Sequence, residues 1–241
     1  MKKLLLSIVI PVYNEKENIL KTLAEINKNV HVPHEIFIVY DFDEDTTLPI
    51  VKKVLKKYPN LKLIKNTINR GPSGAIRTGF ANANAPYVLV TMADLCDDLS
   101  QVKDMLTLVP DKAAIVAPSR YCKGGEQQLK SSLKVWAPRT AGYLLKKLTG
   151  IPTYDPTNSY KLYSKKLLDS LILTSTVSFS VTLEVVVKAH ARGYKIVEMP
   201  TTWRDRQHGK TNFKLGRSLL FYFPWFWYSL THSNQTSKKR I

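Results

Sequence analysis

The chain has 241 residues, 44% of them apolar, which is enough for one substantial α/β domain or a domain with a tail. Lys and Arg number 36 against 19 Asp and Glu, and the resulting charge of +17 calls for an anionic partner: nucleic acid, phosphorylated substrates or an acidic lipid surface. The two cysteines, Cys96 and Cys122, have no metal-ligand spacing and make no disulfide framework, which excludes a cysteine-stapled scaffold and fits a reducing cytosol.

At the N-terminus, Lys2 and Lys3 precede the apolar run Leu4 to Ile10 and imitate an export signal. That run is only a strand long and passes into P-V-Y-N-E without a small-residue cleavage site, so it reads as the first strand, about Leu4 to Val12. An amphipathic helix with Ile19, Leu23 and Ile26 on one face follows, with Asn14 as its expected N-cap. A second strand, Ile36 to Val39, runs into Y-D-F-D-E-D-T-T and a helix through Val51, Val54 and Leu55. A third strand, Leu61 to Lys65, leads to N-R-G-P-S-G-A-I-R-T-G-F. There Gly71, Ala75 and Gly79 line up on one helical face, favouring close packing of a helix on the sheet.

The apolar run Tyr87 to Val90 then reads as a buried strand of a parallel sheet, and it stops at Asp94 followed by Asp97 and Asp98. A doubly wound sheet places its ligand at the carboxyl ends of such strands, and Mg²⁺ needs only one or two carboxylates when substrate phosphates complete its shell. Asp94 is therefore the candidate metal anchor; the competing reading, equally weighted on position alone, is a cap for the next helix. A helix from about Leu99 and a strand from Ala113 to Ala117 follow. The β-α alternation predicts a mostly parallel sheet.

Beyond Pro118, Ser119-Arg120-Tyr121 and Gly124-Gly125 open a basic, polar segment expected to be a mobile loop over the site. A helix from about Ala137 to Leu148 carries Arg139, and D-P-T-N-S-Y-K-L-Y at 155 to 163 reads as a strand entered through a turn. A helix from about Val181 to Ala191 sets Glu184 among apolar neighbours, where a carboxylate needs a partner. After Gly193 come a last strand, Ile196 to Met199, and the basic loop T-T-W-R-D-R-Q-H-G-K-T-N-F. From Leu215 the chain is an aromatic, apolar segment flanked by basic residues. It is too short to span a bilayer, which takes roughly 18 to 20 apolar residues, and suited to a membrane interface. Core packing or a dimer contact would give the same pattern, which leaves room for a homo-oligomer. The organisation expected is a domain over 1–214 and an amphipathic, basic tail over 215–241.

Taken together, P-V-Y-N-E, the acidic turn after strand two, N-x-G-x-x-x-A-x-x-x-G, A-D-L, S-R-Y, D-P-T-x-S-Y-K-L-Y and R-x-x-G-x-T resemble the family-2 inverting glycosyltransferases. Within them the order is most similar to the dolichyl-phosphate mannose synthase and polyprenyl-phosphate glycosyltransferase branch. The resemblance covers roughly residues 6 to 214. It implies a GT-A, Rossmann-like α/β fold holding a nucleoside-diphosphate sugar, with Mg²⁺ or Mn²⁺, at the carboxyl edge of its sheet. Residue by residue, it implies that Pro11, Tyr13, Glu15 and Asp41 line the nucleotide pocket and that Asp94 holds the metal. Arg120 and Arg139 would receive a polyprenyl phosphate, while Arg206, Lys210 and Thr211 close over the donor diphosphate. The implied location is peripheral, on the cytosolic face of a membrane.

Two departures stand out. The family's Asp-x-Asp is Met92-Ala93-Asp94 here, and Tyr40-Asp41 replaces an Asp-Asp pair. A weaker metal requirement is expected, with Asp97 or Asp98 as compensating carboxylates. Chemistry favours a phosphate acceptor. A sugar hydroxyl needs a general base, whereas a phosphate monoester, with a second pKa of about 6, is already an anionic nucleophile. No His beside a carboxylate appears in a strand-end turn. Transfer to a sugar hydroxyl of a surface glycan and a non-catalytic nucleotide-sugar binder stay open as alternatives. A P-loop is rejected because H-G-K-T lacks its leading glycine, where Arg204 stands. A dinucleotide fingerprint is absent after strand one. Nucleic acid is set aside because the aromatics concentrate in one tail and do not alternate with basic residues.

Overall fold

The computed structural model describes residues 3–109, 113–128, 133–205 and 215–232, the side chains of 133–138 and 215–220 excepted. Its frame is a seven-stranded sheet of order β3-β2-β1-β4-β7-β5-β8. Inside it lies β1 (Leu6–Pro11), buried along its whole length and parallel to both β2 (His34–Tyr40) and β4 (Tyr87–Val90). Burial on both faces explains the apolar run, interrupted by Ser7, whose buried hydroxyl donates to Glu35 Oε1 at 2.7 Å. At one edge β3 (Leu61–Lys65) adds parallel to β2, and at the other β5 (Ile115–Ser119) pairs in parallel with β8 (Ile196–Pro200). The two halves are joined by β7 (Lys161–Ser164), which runs antiparallel between β4 and β5.

Alternation along the strands sends side chains to two cores. Leu6, Ile8 and Ile10 of β1, with Leu89, face α1 (Ile19–Asn29), α2 (Thr47–Val54) and α4 (Val102–Leu108). Val9, Val88, Val90 and Tyr163 face the opposite layer. That layer comprises α3 (Pro72–Asn82), α5 (Leu133–Thr149), α6 (Lys165–Ser170) and α7 (Ser180–Ala191). The expected close seat of α3 is met at Gly79, where an added Cβ would lie 2.2 Å from Val9 Cγ1. Gly71 does something else: it precedes the helix at φ 111°, a backbone that side chains disfavour.

Three expectations are corrected. Asn14 does not cap α1; it stands at φ 57° outside the helix, and Asn18 precedes Ile19. Helix α5 starts four residues before Ala137, at Leu133. The segment after Arg120 is not all loop. Glu126–Gln128 forms β6, which pairs in parallel with β9 (Thr202–Arg204) as a separate two-stranded sheet. Neither strand was readable, because three polar-flanked residues show no period.

The aromatic segment is α8 (Leu215–His232), packed on α7 and α5. Tyr222, Trp225, Phe226 and Tyr228 lean on the core, while Phe223 and Trp227, one turn apart, stay 63% and 60% exposed. Among the described residues no helix is long and apolar enough to cross a membrane. Glu184 is structural. It accepts from the Thr174 and Ser175 amides at 2.7 and 2.8 Å and from Lys188 Nζ at 2.5 Å, tying the segment before α7 to that helix.

Candidate active site

Four strand ends meet at the carboxyl edge of the sheet. The turns after β1 and β2 are clamped by Asp45, a buried carboxylate that accepts from the Asn14 amide at 3.1 Å and the Thr47 amide at 2.8 Å. This clamp ties the turn that carries Tyr13 and Glu15, just after Pro11 at the end of β1, to the turn that starts at Asp41. Tyr13 is 55% exposed and meets Phe42 edge-on at 5.5 Å, an aromatic lip at the mouth of the expected nucleotide pocket. Glu15 is buried, with Oε2 accepting from Asn18 Nδ2 at 2.8 Å and its amide donating to Thr47 Oγ1 at 2.9 Å. Asp41 accepts from Asn66 Nδ2 at 2.7 Å and from the Gly71 amide at 2.8 Å, and so fixes the start of α3.

Past β4 the three acidic residues divide their work. Asp98 is the cap, accepting from the Ser100 amide at 3.2 Å. Asp97 accepts from Thr91 Oγ1 at 2.9 Å and the Met92 amide at 3.1 Å. Asp94 is half-buried and accepts from the Cys96 amide at 3.2 Å across Leu95, whose φ of 63° is unusual for a bulky side chain. Burial, and next the charge of Asp94, push the Asp97 carboxyl up to about 7. Two carboxylates that repel in this way form a place where a divalent cation would relieve the repulsion. Among the described residues no cluster of three His, Cys, Asp or Glu side chains could hold a metal alone. A cation here would need further ligands beyond the two carboxylates, of the kind that water or phosphate oxygens supply.

Across from this turn, at the end of β5, is Arg120. Its Nε and Nη2 donate to the two oxygens of Asp155 at 2.7 and 2.8 Å, and its amide donates to Asp155 Oδ2 at 3.1 Å. The guanidinium lies 5.0 Å from the centroid of the Tyr121 ring. Arg139, exposed on α5, is near enough for its charge to act on the same tyrosine, whereas only Arg120 is in contact with the ring. Burial pushes the Tyr121 hydroxyl up to about 12. Below lies Lys161, a fully buried ammonium that donates to the carbonyls of Asp155 and Asn158. Burial brings it down to about 7.

Arg206, Lys210 and Thr211 lie outside the described residues. The strand that leads to them is tied to the Asp94 turn, because the Arg204 amide donates to the Cys96 carbonyl at 3.1 Å. Asp45, Asn66, Asp155 and Lys161 were not expected at the site. The acidic turn 41–45 and D-P-T-N-S-Y-K were visible as motifs, but which members point inward depends on partners far away in sequence.

A parallel half-sheet whose carboxyl edge carries an aromatic lip, an acidic turn and facing arginines defines a GT-A-type α/β protein. Residues 7–172 match Glycosyl transferase family 2, and the chain belongs to that family. It is 28% identical over 224 residues to a dolichol-phosphate mannosyltransferase of Pyrococcus furiosus, covering 90% of this chain and 61% of that protein. It is 26% identical over 217 residues to a dolichyl-phosphate beta-glucosyltransferase of Trichomonas vaginalis, covering 83% of this chain and 66% of that one. The chain thus spans less than two thirds of either relative. In structure it is similar to glucosyl-3-phosphoglycerate synthase from Mycobacterium tuberculosis, which was crystallised with Mn²⁺, uridine-diphosphate and phosphoglyceric acid. The TM-score is 0.68 at 15% identity, over 95% of this chain and 78% of the other.

Proposed function

We propose that the protein moves a hexosyl unit, with inversion, from a nucleoside-diphosphate sugar to a polyprenyl (dolichyl-type) phosphate. The observation that carries this reading is the placing of Asp94 and Asp97 at the end of β4 opposite Arg120 at the end of β5, with Asp97 inside the field of that guanidinium. Names of the relatives supply the acceptor class: both are dolichyl-phosphate or dolichol-phosphate sugar transferases.

In this reading Pro11, Tyr13, Glu15 and Asp41 receive the nucleotide, and Arg206, Lys210 and Thr211 cover the donor diphosphate. Asp94, supported by Asp97, would hold Mg²⁺ or Mn²⁺, which when bound neutralises the departing diphosphate. With Met92 in place of a carboxylate, the metal requirement is weaker than two facing aspartates would impose. Arg120 and Arg139 gather the acceptor phosphate, whose anionic oxygen attacks the anomeric carbon from the side opposite the leaving group. No proton has to be removed from that nucleophile at neutral pH. The residues supply orientation and charge neutralisation, the larger part of such a barrier.

The acceptor's lipid tail sets the location. Phe223 and Trp227 of α8 and Tyr143, Leu144 and Leu148 of α5 are exposed, and α5 packs on α8. With the chain's charge of +17, these faces suit peripheral attachment to an anionic membrane, on the cytosolic side where nucleotide-sugars are made.

The test is incubation with radiolabelled nucleotide-sugars, polyprenyl phosphate and Mn²⁺. Lipid-extractable label from the wild type, lost in Asp94→Ala and Arg120→Ala, supports the transferase. Nucleotide binding with no transfer from any donor would instead favour a binding relative, the reading that Met92 invites.

A further inference from the structure

Beneath the acceptor arginines lie two buried charges. Asp155 and Lys161 are both fully buried, yet neither belongs to the donor pocket. Resting on the acceptor-phosphate role of Arg120, we infer that Asp155 is a positioning residue that fixes the Arg120 guanidinium, with Lys161 locking the turn that carries it.

The geometry argues this in three steps. First, Asp155 takes the Nε and Nη2 edge of Arg120 in a two-point pair and also accepts from the Arg120 amide. A planar guanidinium held on two nitrogens cannot rotate, so by its own geometry Nη1 is directed away from Asp155. Freely mobile, the same side chain would lose its rotamer freedom each time an acceptor phosphate arrived. Second, the Lys161 ammonium donates to the carbonyls of both Asp155 and Asn158, so one buried cation closes the turn on which the carboxylate sits. Third, the neighbouring Tyr154 seats α5. Lys146 Nζ lies 3.7 Å from its ring centroid, Tyr143 stacks on it at 6.3 Å, and a Cβ at Gly142 would meet its carbonyl oxygen at 2.0 Å. Helix α5 carries Arg139. One short turn therefore registers both acceptor arginines, Arg120 through Asp155 and the helix of Arg139 through Tyr154.

A general-base role for Asp155 does not fit this arrangement. Both oxygens are engaged and the side chain is wholly shielded from an incoming acceptor. Burial by itself pushes the carboxyl up, but the charge and hydrogen bonds of Arg120, with Lys161, hold it below the ordinary range. It is a poor proton acceptor at any physiological pH.

The experiment is steady-state kinetics of Asp155→Asn with polyprenyl phosphate and nucleotide-sugar varied separately, crossed with Arg120→Gln. The expected result is a KM for polyprenyl phosphate raised roughly tenfold or more, the donor KM unchanged, the pH profile of kcat unchanged, and no further loss when Asp155→Asn is added to Arg120→Gln. Equal rises in both KM values, multiplying effects in the double variant, or a large fall in kcat with a lost acidic limb would each overturn the inference. Should Asp155→Asn not fold, NMR of the unaltered protein decides. A slowly exchanging, downfield Arg120 Nε–H supports the anchor, and rapid exchange with water overturns it. A wild type that transfers nothing to polyprenyl phosphate while keeping a protected Nε–H would sink the acceptor reading and leave Asp155 standing as the anchor of Arg120.

Discussion

Lys161 keeps its amine where water cannot reach it, which disfavours the charged form, and the pH dependence of stability follows. Its folded pKa, about 7, lies below the model-peptide value of 10.5, so between these limits the unfolded chain binds more protons than the folded one. Stability contributed by this residue therefore rises from pH 7 upward, with a slope approaching about 1.4 kcal/mol per pH unit. Asp97 acts in the opposite sense at lower pH. Raised from 3.8 to about 7, it makes the folded state the better proton binder, and stability falls between those values. Denaturant unfolding at pH 7, 8 and 9 should show the rise in the wild type and its loss in Lys161→Met. A second residue-level expectation concerns Leu95, whose left-handed backbone beside Asp94 carries a strain of roughly 1–2 kcal/mol. Leu95→Gly should keep Mn²⁺-dependent nucleotide binding, read by thermal shift, whereas Leu95→Val, a β-branched residue at positive φ, should weaken it. The position of Asp94 just past the end of β4 was legible in the sequence, because a carboxylate ending an apolar run is a local signal. Asp155 was not, because what makes it interesting is an arginine 35 residues earlier in the chain.

Among the elements, α3 shows how a pattern of small residues becomes a contact. The stripe Gly71, Ala75, Gly79 was readable, but only the structure shows that Gly79 touches β1 while Gly71 serves the Asp41 turn. Gly79→Ala should destabilise by about 1–3 kcal/mol through overpacking, with part of the loss recovered when Val9 is trimmed to Ala. The two faces of α8 should separate cleanly in the same way. Phe223→Ser with Trp227→Ser should reduce sedimentation with anionic liposomes and leave the unfolding midpoint unchanged. Trp225→Ala, on the face against the core and within 4.8 Å of Lys188 Nζ, should instead lower stability by roughly 1–3 kcal/mol. The segment was recognisable as amphipathic and aromatic. Which rings would be covered was not, since an aromatic at nearly every position leaves the 3.6-residue period without contrast.

At the scale of the molecule, the mostly parallel sheet was legible because every strand from β1 to β4 is followed by a helical or turn segment of crossover length. The order of the strands was not. It depends on β7 sitting between β4 and β5, a pairing between segments more than 40 residues apart that no local pattern encodes. This insertion bears on how the chain acquires its shape in time. The four strands β3-β2-β1-β4 can associate once residue 90 is present, whereas β5 and β8 have no bonded route to them until β7 slots in between β4 and β5. Bringing such distant pieces together is entropically slow. Refolding should begin in the N-terminal half and end with that closure, so Leu162→Ala should chiefly hasten unfolding and scarcely change the first refolding phase in stopped-flow fluorescence.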